Sequence, residues 1–182
     1  MAILNIIEKG NPILEKNAEA INIQDIKTPK IQQIIKDMNE TLDSISDGVG
    51  LAAPQVNIPL QMFIVSKKAI NKTEKDNNPN LVCINPKIIK TSKTKKWLDG
   101  EGCLSVRWYY GRVLRHTNVT LEYYDEYGEK KIRGAGGLLA HIFQHECDHL
   151  KGELFIDKAK DVEKIDPETI NNSEYNNQNY EL

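Results

Sequence analysis

Basic residues are not in excess in this chain, long apolar runs are missing, and cysteine is scarce. Each shortage removes a class of function. The chain has 24 Lys and Arg against 26 Asp and Glu, for a net charge of −2. That balance carries no basic footprint for nucleic acid. No apolar stretch reaches bilayer-spanning length, and the start of the sequence lacks the basic opening of a signal or transit segment. The expected setting is therefore the cytoplasm, away from any membrane. Three cysteines, Cys83, Cys103 and Cys147, are too few and odd in number for a disulfide framework. They suit a reducing compartment, where packing or a metal must account for at least one of them.

What is present is an ordinary globular composition, 40% hydrophobic and 27% charged over 182 residues, enough for a single core. Within it, one stretch dominates. Leu138, Leu139, Ile142, Phe143 and Leu150 fall at helical spacing, and Gly152 can end the helix in a left-handed conformation. On that helix His145 and His149 are four residues apart and leave the same face, within reach of one divalent ion. Glu146 follows His145 and points beside such an ion, where a carboxylate can move protons.

Two histidines call for a third protein ligand. Cys103 is the best-placed candidate, because it stands between Gly102 and Leu104 in the turn-like stretch 99–106, and a thiolate binds borderline divalent metals well. Cys147 is rotated about 200° from His145 on the helix and should face the core. Cys83 lies in an apolar run and reads as a buried small hydrophobe.

The remaining chain supplies scaffold. Residues 3–7 form a short apolar segment before a turn at Gly10-Asn11-Pro12. Thr28 and Pro29 open a helix over 28–44 whose stripe is Ile31, Ile34, Ile35, Met38 and Leu42. The small-residue run 47–56 reads first as a tight connection into a strand at 60–65, and second as a place of close backbone approach. A strand at 81–84 follows a polar loop at 67–80, and 86–89 extends it. Residues 93–96 make a solvated basic loop. Alternation over 118–124, a turn at 125–128 and a return at 130–133 predict an antiparallel hairpin, with 134–137 connecting it to the motif helix. The chain turns polar near its end. Its expected division is a catalytic domain over residues 1–160 and a loosely packed tail over 161–182.

Three segments taken together resemble the peptide deformylase family: Gly48-Val49-Gly50-Leu51-Ala52-Ala53-Pro54-Gln55, Glu101-Gly102-Cys103-Leu104-Ser105, and Gln144-His145-Glu146-Cys147-Asp148-His149-Leu150. They stand in the family's order, and the likeness covers roughly residues 3–158. It implies an α+β fold of mainly antiparallel sheets packed around a central helix that carries the HExxH motif, with the helix at 28–44 outside. The implied enzyme is a metallohydrolase that removes the N-formyl group from the formyl-methionine of nascent polypeptides at the ribosome, by attack of metal-bound hydroxide.

By the same resemblance, Cys103, His145 and His149 bind one divalent ion, Fe²⁺ by expectation, with Zn²⁺, Ni²⁺ or Co²⁺ able to occupy the site. Glu146 carries the proton, and the Gln55 amide and the Leu104 backbone N–H stabilise the oxyanion. Gly50 gives the substrate backbone room, and Val49, Leu138 and Ile142 wall the methionine side chain. One departure concerns specificity: where the family often has Pro-Gly, this chain has Arg107-Trp108. His141 reads as a partly exposed helix histidine, with a place behind the metal ligands or on the pocket rim as the alternative. Arg115 and Asp148 are candidates for orienting the ligands.

Two other functions compete. A zinc endopeptidase would need a further ligand, but Phe155 stands where the extended signature requires histidine. Glu168 in the polar tail would be a substitute, and Cys103 has no role in that reading. A deformylase-like protein that binds metal or peptide without turnover would have lost Gln55, Glu146 or a ligand, and all of these are present.

Overall fold

The computed structural model describes residues 2–70 and 79–166, and its strands form two antiparallel sheets. Helix α1 (Pro29–Asp43) precedes strands β1 (Gly50–Ala52) and β2 (Met62–Val65), then a short helix α2 (Lys67–Ile70). Strands β3 (Leu81–Thr91), β4 (Lys95–Cys103), β5 (Val106–His116), β6 (Asn118–Tyr124) and β7 (Lys130–Gly136) follow. Helix α3 (Gly137–His149) and strand β8 (Lys160–Lys164) complete it. One sheet has the order β1-β2-β3-β6-β7 and the other β4-β5-β8, with every pairing antiparallel. The fold is α+β, as expected.

The five-stranded sheet is covered by a helix on each face. Along β2, Phe63 and Val65 join the core of α3, made by Ala140, Ile142, Phe143 and Cys147, while Met62 and Ile64 join the core of α1. The same alternation places Cys83 toward α3, and Val82 and Ile84 toward α1. A strand buried on both faces reads as a continuous apolar run, which explains Met62-Phe63-Ile64-Val65. Helix α1 buries Ile31, Ile35, Met38 and Leu42. Its Thr28 has the extended backbone of a cap, but its hydroxyl donates to the Asp25 carbonyl at 2.7 Å instead of capping the helix.

Helix α3 also meets β5 of the second sheet, and it therefore has little exposed face. Nine of its 13 residues are buried, including polar ones that need partners. The helix ends at His149, earlier than expected, and Gly152 adopts the left-handed conformation, φ +73, in the turn that follows. There a Cβ would lie 2.5 Å from the carbonyl carbon of Glu15 and 2.7 Å from its oxygen.

The apolar segment 3–7 joins no ladder; its Ile7 N–H donates to the Gln55 carbonyl at 2.8 Å. Several local expectations are corrected. Within 47–56, Gly50–Ala52 is strand β1, because its backbone pairs with 63–65 of β2. The predicted loop at 67–80 opens with α2, and its residues 71–78 lie outside the described residues. The basic loop at 93–96 enters β4 at Lys95, and Gly134 to Gly136 belong to β7.

The stretch 99–106 is not one irregular turn but the meeting of β4 and β5, with only Leu104 and Ser105 between them. Glycines at 100 and 102 hid the strand, since they weaken any strand pattern. Ordered structure also continues past 160: β8 pairs Tyr109 with Lys164 and Arg112 with Lys160. Residues 167–182 of the predicted tail lie outside the described residues. Among the described residues no helix is long and apolar enough to cross a membrane.

Gly152→Ala would put a side chain into the Glu15 backbone at a left-handed φ. Adding backbone strain to overpacking, we expect a loss of about 2–5 kcal/mol, read by urea unfolding. A loss under about 0.5 kcal/mol would show that the Glu15 segment yields freely.

Candidate active site

Helix α3 presents His141, His145 and His149 in a row on one side, one turn apart, and the end of β4 brings Cys103 against them. The Cys103 Sγ lies 3.2 Å from His149 Nε2. One ligand atom from each of Cys103, His145 and His149 falls within 4.8 Å of the others. These are the three residues the motif reading selected, and they line or underlie a cavity of about 360 Å³. Gln55, Leu104, Gly50, Val49, Leu138, Ile142 and Glu146 all border that cavity. Every predicted site residue is therefore gathered at one place.

The histidines are oriented by Glu101, which sequence reasoning passed over as a mere neighbour of Cys103. Glu101 is buried, and its Oε1 accepts from His145 Nδ1 at 2.7 Å and from Arg115 Nη2 at 2.6 Å. Its Oε2 accepts from Arg115 Nε at 3.1 Å and meets His141 Nε2. Arg115 also donates to Asp148 Oδ2 at 2.5 Å, and Lys158 reaches Asp148 Oδ1 at 2.9 Å. With Nδ1 of His145 committed to Glu101, its other nitrogen is left for the cavity. His141 is thus buried and paired, not a partly exposed helix histidine. Arg115 and Asp148, offered as orienting partners, fill that place. The one signal for Glu101 in the sequence was an acidic residue two positions before Cys103 on what proves to be a strand, hence on the same face.

Gln55 is fixed just as firmly. Its Oε1 accepts the Ala52 N–H at 2.8 Å, which forces the amide NH₂ to the other side. There Nε2 lies 3.2 Å from Ser105 Oγ and 3.5 Å from Cys103 Sγ. The orientation of an amide is an assignment from its partners, and here the backbone donor makes it. Gly50 has a reason beyond the expected one. A Cβ there would fall 2.3 Å from Glu146 Oε1 and 3.2 Å from Ile142 Cγ2, so the glycine makes room for the carboxylate itself.

Electrostatics divide the titratable groups. Burial raises the Glu146 carboxyl, an effect His145 and His149 only partly offset, and it stands at about 7. Its Oε2 and His149 Nδ1 are buried without a hydrogen-bond partner. Burial also pushes the Cys103 thiol up, but His149 and His145 outweigh it and bring the thiol down to about 5. Burial opposes the charge on His145, yet Cys103 and Glu101 hold it well above its usual value. Glu101 is desolvated too, and His141, His145 and Arg115 still hold it far below the carboxylate range. By contrast, burial sends Cys83 upward and Cys147 up to about 12. Both lie in the core, as the sequence suggested. Glu168, the substitute ligand of the endopeptidase reading, lies outside the described residues.

Residues 3–165 match the family model described as polypeptide deformylase. The chain is 39% identical over 170 residues to a peptide deformylase of Christiangramia forsetii, covering 89% of this chain and 84% of that protein. It is 42% identical over 163 residues to one from Carboxydothermus hydrogenoformans, covering 89% and 97% respectively. Among solved structures, a Met-Ala-Ser-bound class I type b peptide deformylase from Acinetobacter baumannii superposes with a TM-score of 0.76 at 32% identity. That match covers 86% of this chain and 98% of the other.

Two outcomes follow from the charges. Glu101 and Asp148 titrate below the ordinary carboxylate value when folded, Asp148 because Arg115 and Lys158 overcome its burial. The unfolded chain then binds more protons than the folded one as pH falls through about 4, so their stabilisation is complete above that range and drains away below it. Arg115→Leu removes the guanidinium that both buried carboxylates share, leaving Asp148 only Lys158 and Glu101 only its histidines. It should lose about 3–5 kcal/mol at pH 7 in urea unfolding, and less at pH 4, where protonation relieves the unpaired charge. A pH-independent loss would deny the pairing.

The second outcome concerns thiols. In metal-free folded protein at pH 7, iodoacetamide should label Cys103 first, because the thiolate is the nucleophile and only this thiol is held near 5. Labelling of Cys83 or Cys147 at an equal rate, read by peptide mass mapping, would contradict the described burial.

Proposed function

The chain belongs to the polypeptide deformylase family, metal-dependent hydrolases that remove the N-formyl group from nascent polypeptides, and we propose that Cys103, His145 and His149 hold its divalent ion. The single observation that carries this assignment is the convergence of one thiol and two imidazoles within 4.8 Å. A thiolate with two neutral imidazoles is a donor set suited to borderline dications and leaves a fourth position open. The lowered thiol and the partnerless His149 Nδ1 and Glu146 Oε2 support the fit, since buried polar atoms normally have something to meet. Of the metals this set accepts, Fe²⁺ is our choice for the cell, with Zn²⁺, Ni²⁺ and Co²⁺ able to replace it in the tube.

A bound divalent ion supplies Lewis acidity, lowering the pKa of water and polarising a carbonyl. The chain's own residues do the rest. Glu146, a buried carboxyl at about 7, takes a proton from the attacking water and delivers it to the departing amine, a shuttle that needs a pKa near the working pH. The Gln55 NH₂, turned away from Ala52, and the Leu104 backbone N–H donate to the oxygen that gains charge at the formyl carbon. Val49, Leu138 and Ile142 make the apolar wall for the methionine side chain, and Gly50 keeps the approach to Glu146 clear. Glu101 holds His145 in one tautomer, with His141 and Arg115 holding Glu101.

The substrate is an N-formylated polypeptide as it leaves the ribosome in the cytoplasm. The Met-Ala-Ser tripeptide in the Acinetobacter baumannii structure is what such a reaction leaves after the formyl group departs, which supports formyl-Met-Ala-Ser as the test substrate.

Formate release from formyl-Met-Ala-Ser should disappear with chelator and return with Fe²⁺. Glu146→Ala should keep stoichiometric metal and lose roughly 10²–10⁴-fold in kcat, the range for a positioned proton carrier. Turnover within about threefold of the parent would remove Glu146 from the proton path. Metal content unchanged in Cys103→Ala would remove Cys103 from the ligand set.

A further inference from the structure

Trp108 sits at φ +70, a backbone conformation that suits glycine and is an outlier for a bulky side chain. Such strain persists only where the surroundings over-determine it, and it gathers at functional sites. Here the surroundings are explicit. Strand β4 pairs with Val106 and Tyr110 on either side of Trp108 but not with Trp108 itself, and toward β8 the Trp108 carbonyl accepts the Ile165 N–H at 2.8 Å. Trp108 lines the active-site cavity together with Tyr109, Tyr110 and Ile165.

This wall is separate from the one assigned to methionine. Val49, Leu138 and Ile142 come from α3 and the residue before β1, whereas Trp108 and its companions come from the start of β5 and the residue after β8. Two pairs of charges nearby are matched, and Lys164 lies against Tyr109, its Nζ 5.8 Å from the ring centroid. Arg107 lies 3.3 Å from Asp47 and its guanidinium is 5.7 Å from the Trp108 ring centroid, while Asp99 meets Arg112 at 2.6 Å. With arginines and carboxylates matched to each other, aromatic surface is what this side of the cavity offers a ligand.

We propose that Trp108 is a specificity-determining residue that selects formylated peptides with a large apolar or aromatic side chain in the two residues after formyl-methionine. The proposal rests on the deformylase reading above. Arg107, anchored by Asp47, backs the indole and holds it in place.

The test compares kcat/KM of metal-loaded protein for formyl-Met-Ala-Ser, formyl-Met-Phe-Ser, formyl-Met-Ala-Phe, formyl-Met-Lys-Ser and formyl-Met-Glu-Ser. At least one phenylalanine peptide should exceed formyl-Met-Ala-Ser by roughly fivefold, as a ring packed on an aromatic wall provides, and neither charged peptide should. In Trp108→Gly, which the local backbone accepts, that ratio should fall to within about twofold. Inhibition by the matching product peptides (Met-Phe-Ser or Met-Ala-Phe against Met-Ala-Ser) should show the same order in the parent, independent of turnover or of the variant's folding. Equal rates across the five peptides, a preference for lysine or glutamate, or a ratio that survives Trp108→Gly would overturn the proposal. Turnover of formyl-Met-Ala-Ser in that case leaves the deformylase reading standing, whereas no formate from any peptide overturns both.

Discussion

The Glu101 carboxylate is the point on which the site depends. It is a buried anion on β4, and it is tolerated there only because each oxygen has cationic or N–H partners: Arg115 from β5, and His141 and His145 from α3. Removing charges from water is expensive, and the interior repays it only with close geometry and complete hydrogen bonding. Arg115, with Asp148 as its second partner, supplies that completeness. The network therefore couples the three-stranded sheet to the helix that otherwise belongs with the five-stranded one. Cys103 is two residues beyond Glu101 on the same strand, so the clamp that orients His145 also sets where the thiol arrives.

A site divided between a sheet and a helix needs both to be rigid, and packing provides it. Met62-Phe63-Ile64-Val65 is held from both sides, by α1 and by α3, so α3 cannot shift without disturbing a fully buried strand. Polar groups on such a helix are costly unless matched. Gln144 meets the backbone of His116 through both ends of its amide, at 2.9 Å each. The two atoms left unmatched, Glu146 Oε2 and His149 Nδ1, lie on motif residues. A native interior leaves few such atoms, and here they fall where ligand and proton chemistry are expected.

How far the sequence revealed this follows from the range of each interaction. Helices α1 and α3, the pair His145 and His149, and the hairpin over 118–133 were legible because spacing of three and four, or of two, encodes them locally, and β2 because its apolar run is continuous; Cys103 was reached only as the third ligand that two histidines call for. Strand β1 was not, because Gly50-Leu51-Ala52 takes its identity from the partner β2 and not from its own side chains. The β4–β5 hairpin was obscured by glycines that the site needs for close packing, such as Gly102 under the Tyr110 ring, where a Cβ would come within 2.7 Å. The role of Glu101 was invisible for a different reason. Its partners lie 14, 40 and 44 positions away, and only the register of β4 against β5 and α3 joins them. Gly50 was found, but its stronger reason, contact with Glu146, also required the fold.

The two sides of the cavity follow different physical rules, and that separation explains where this chain can differ without losing its chemistry. On the α3 side almost every polar atom is spoken for, so a change of one residue leaves a buried partner unsatisfied and is felt throughout the network. On the β5 side the constraint is on the backbone. Residues 108 and 109 are fixed by β8 through Ile165 and Lys164, and their side chains border the cavity without joining the Glu101 network. Backbone fixed by that pairing, and by the β4 partners of Val106 and Tyr110 before and after it, can hold a residue as unfavourable as tryptophan at a left-handed φ. Strand β8 thus does more than extend a sheet past the expected domain edge. It stiffens the one wall whose side chains are free to be chosen, so choice of peptide can vary there while the ligand clamp stays as it is.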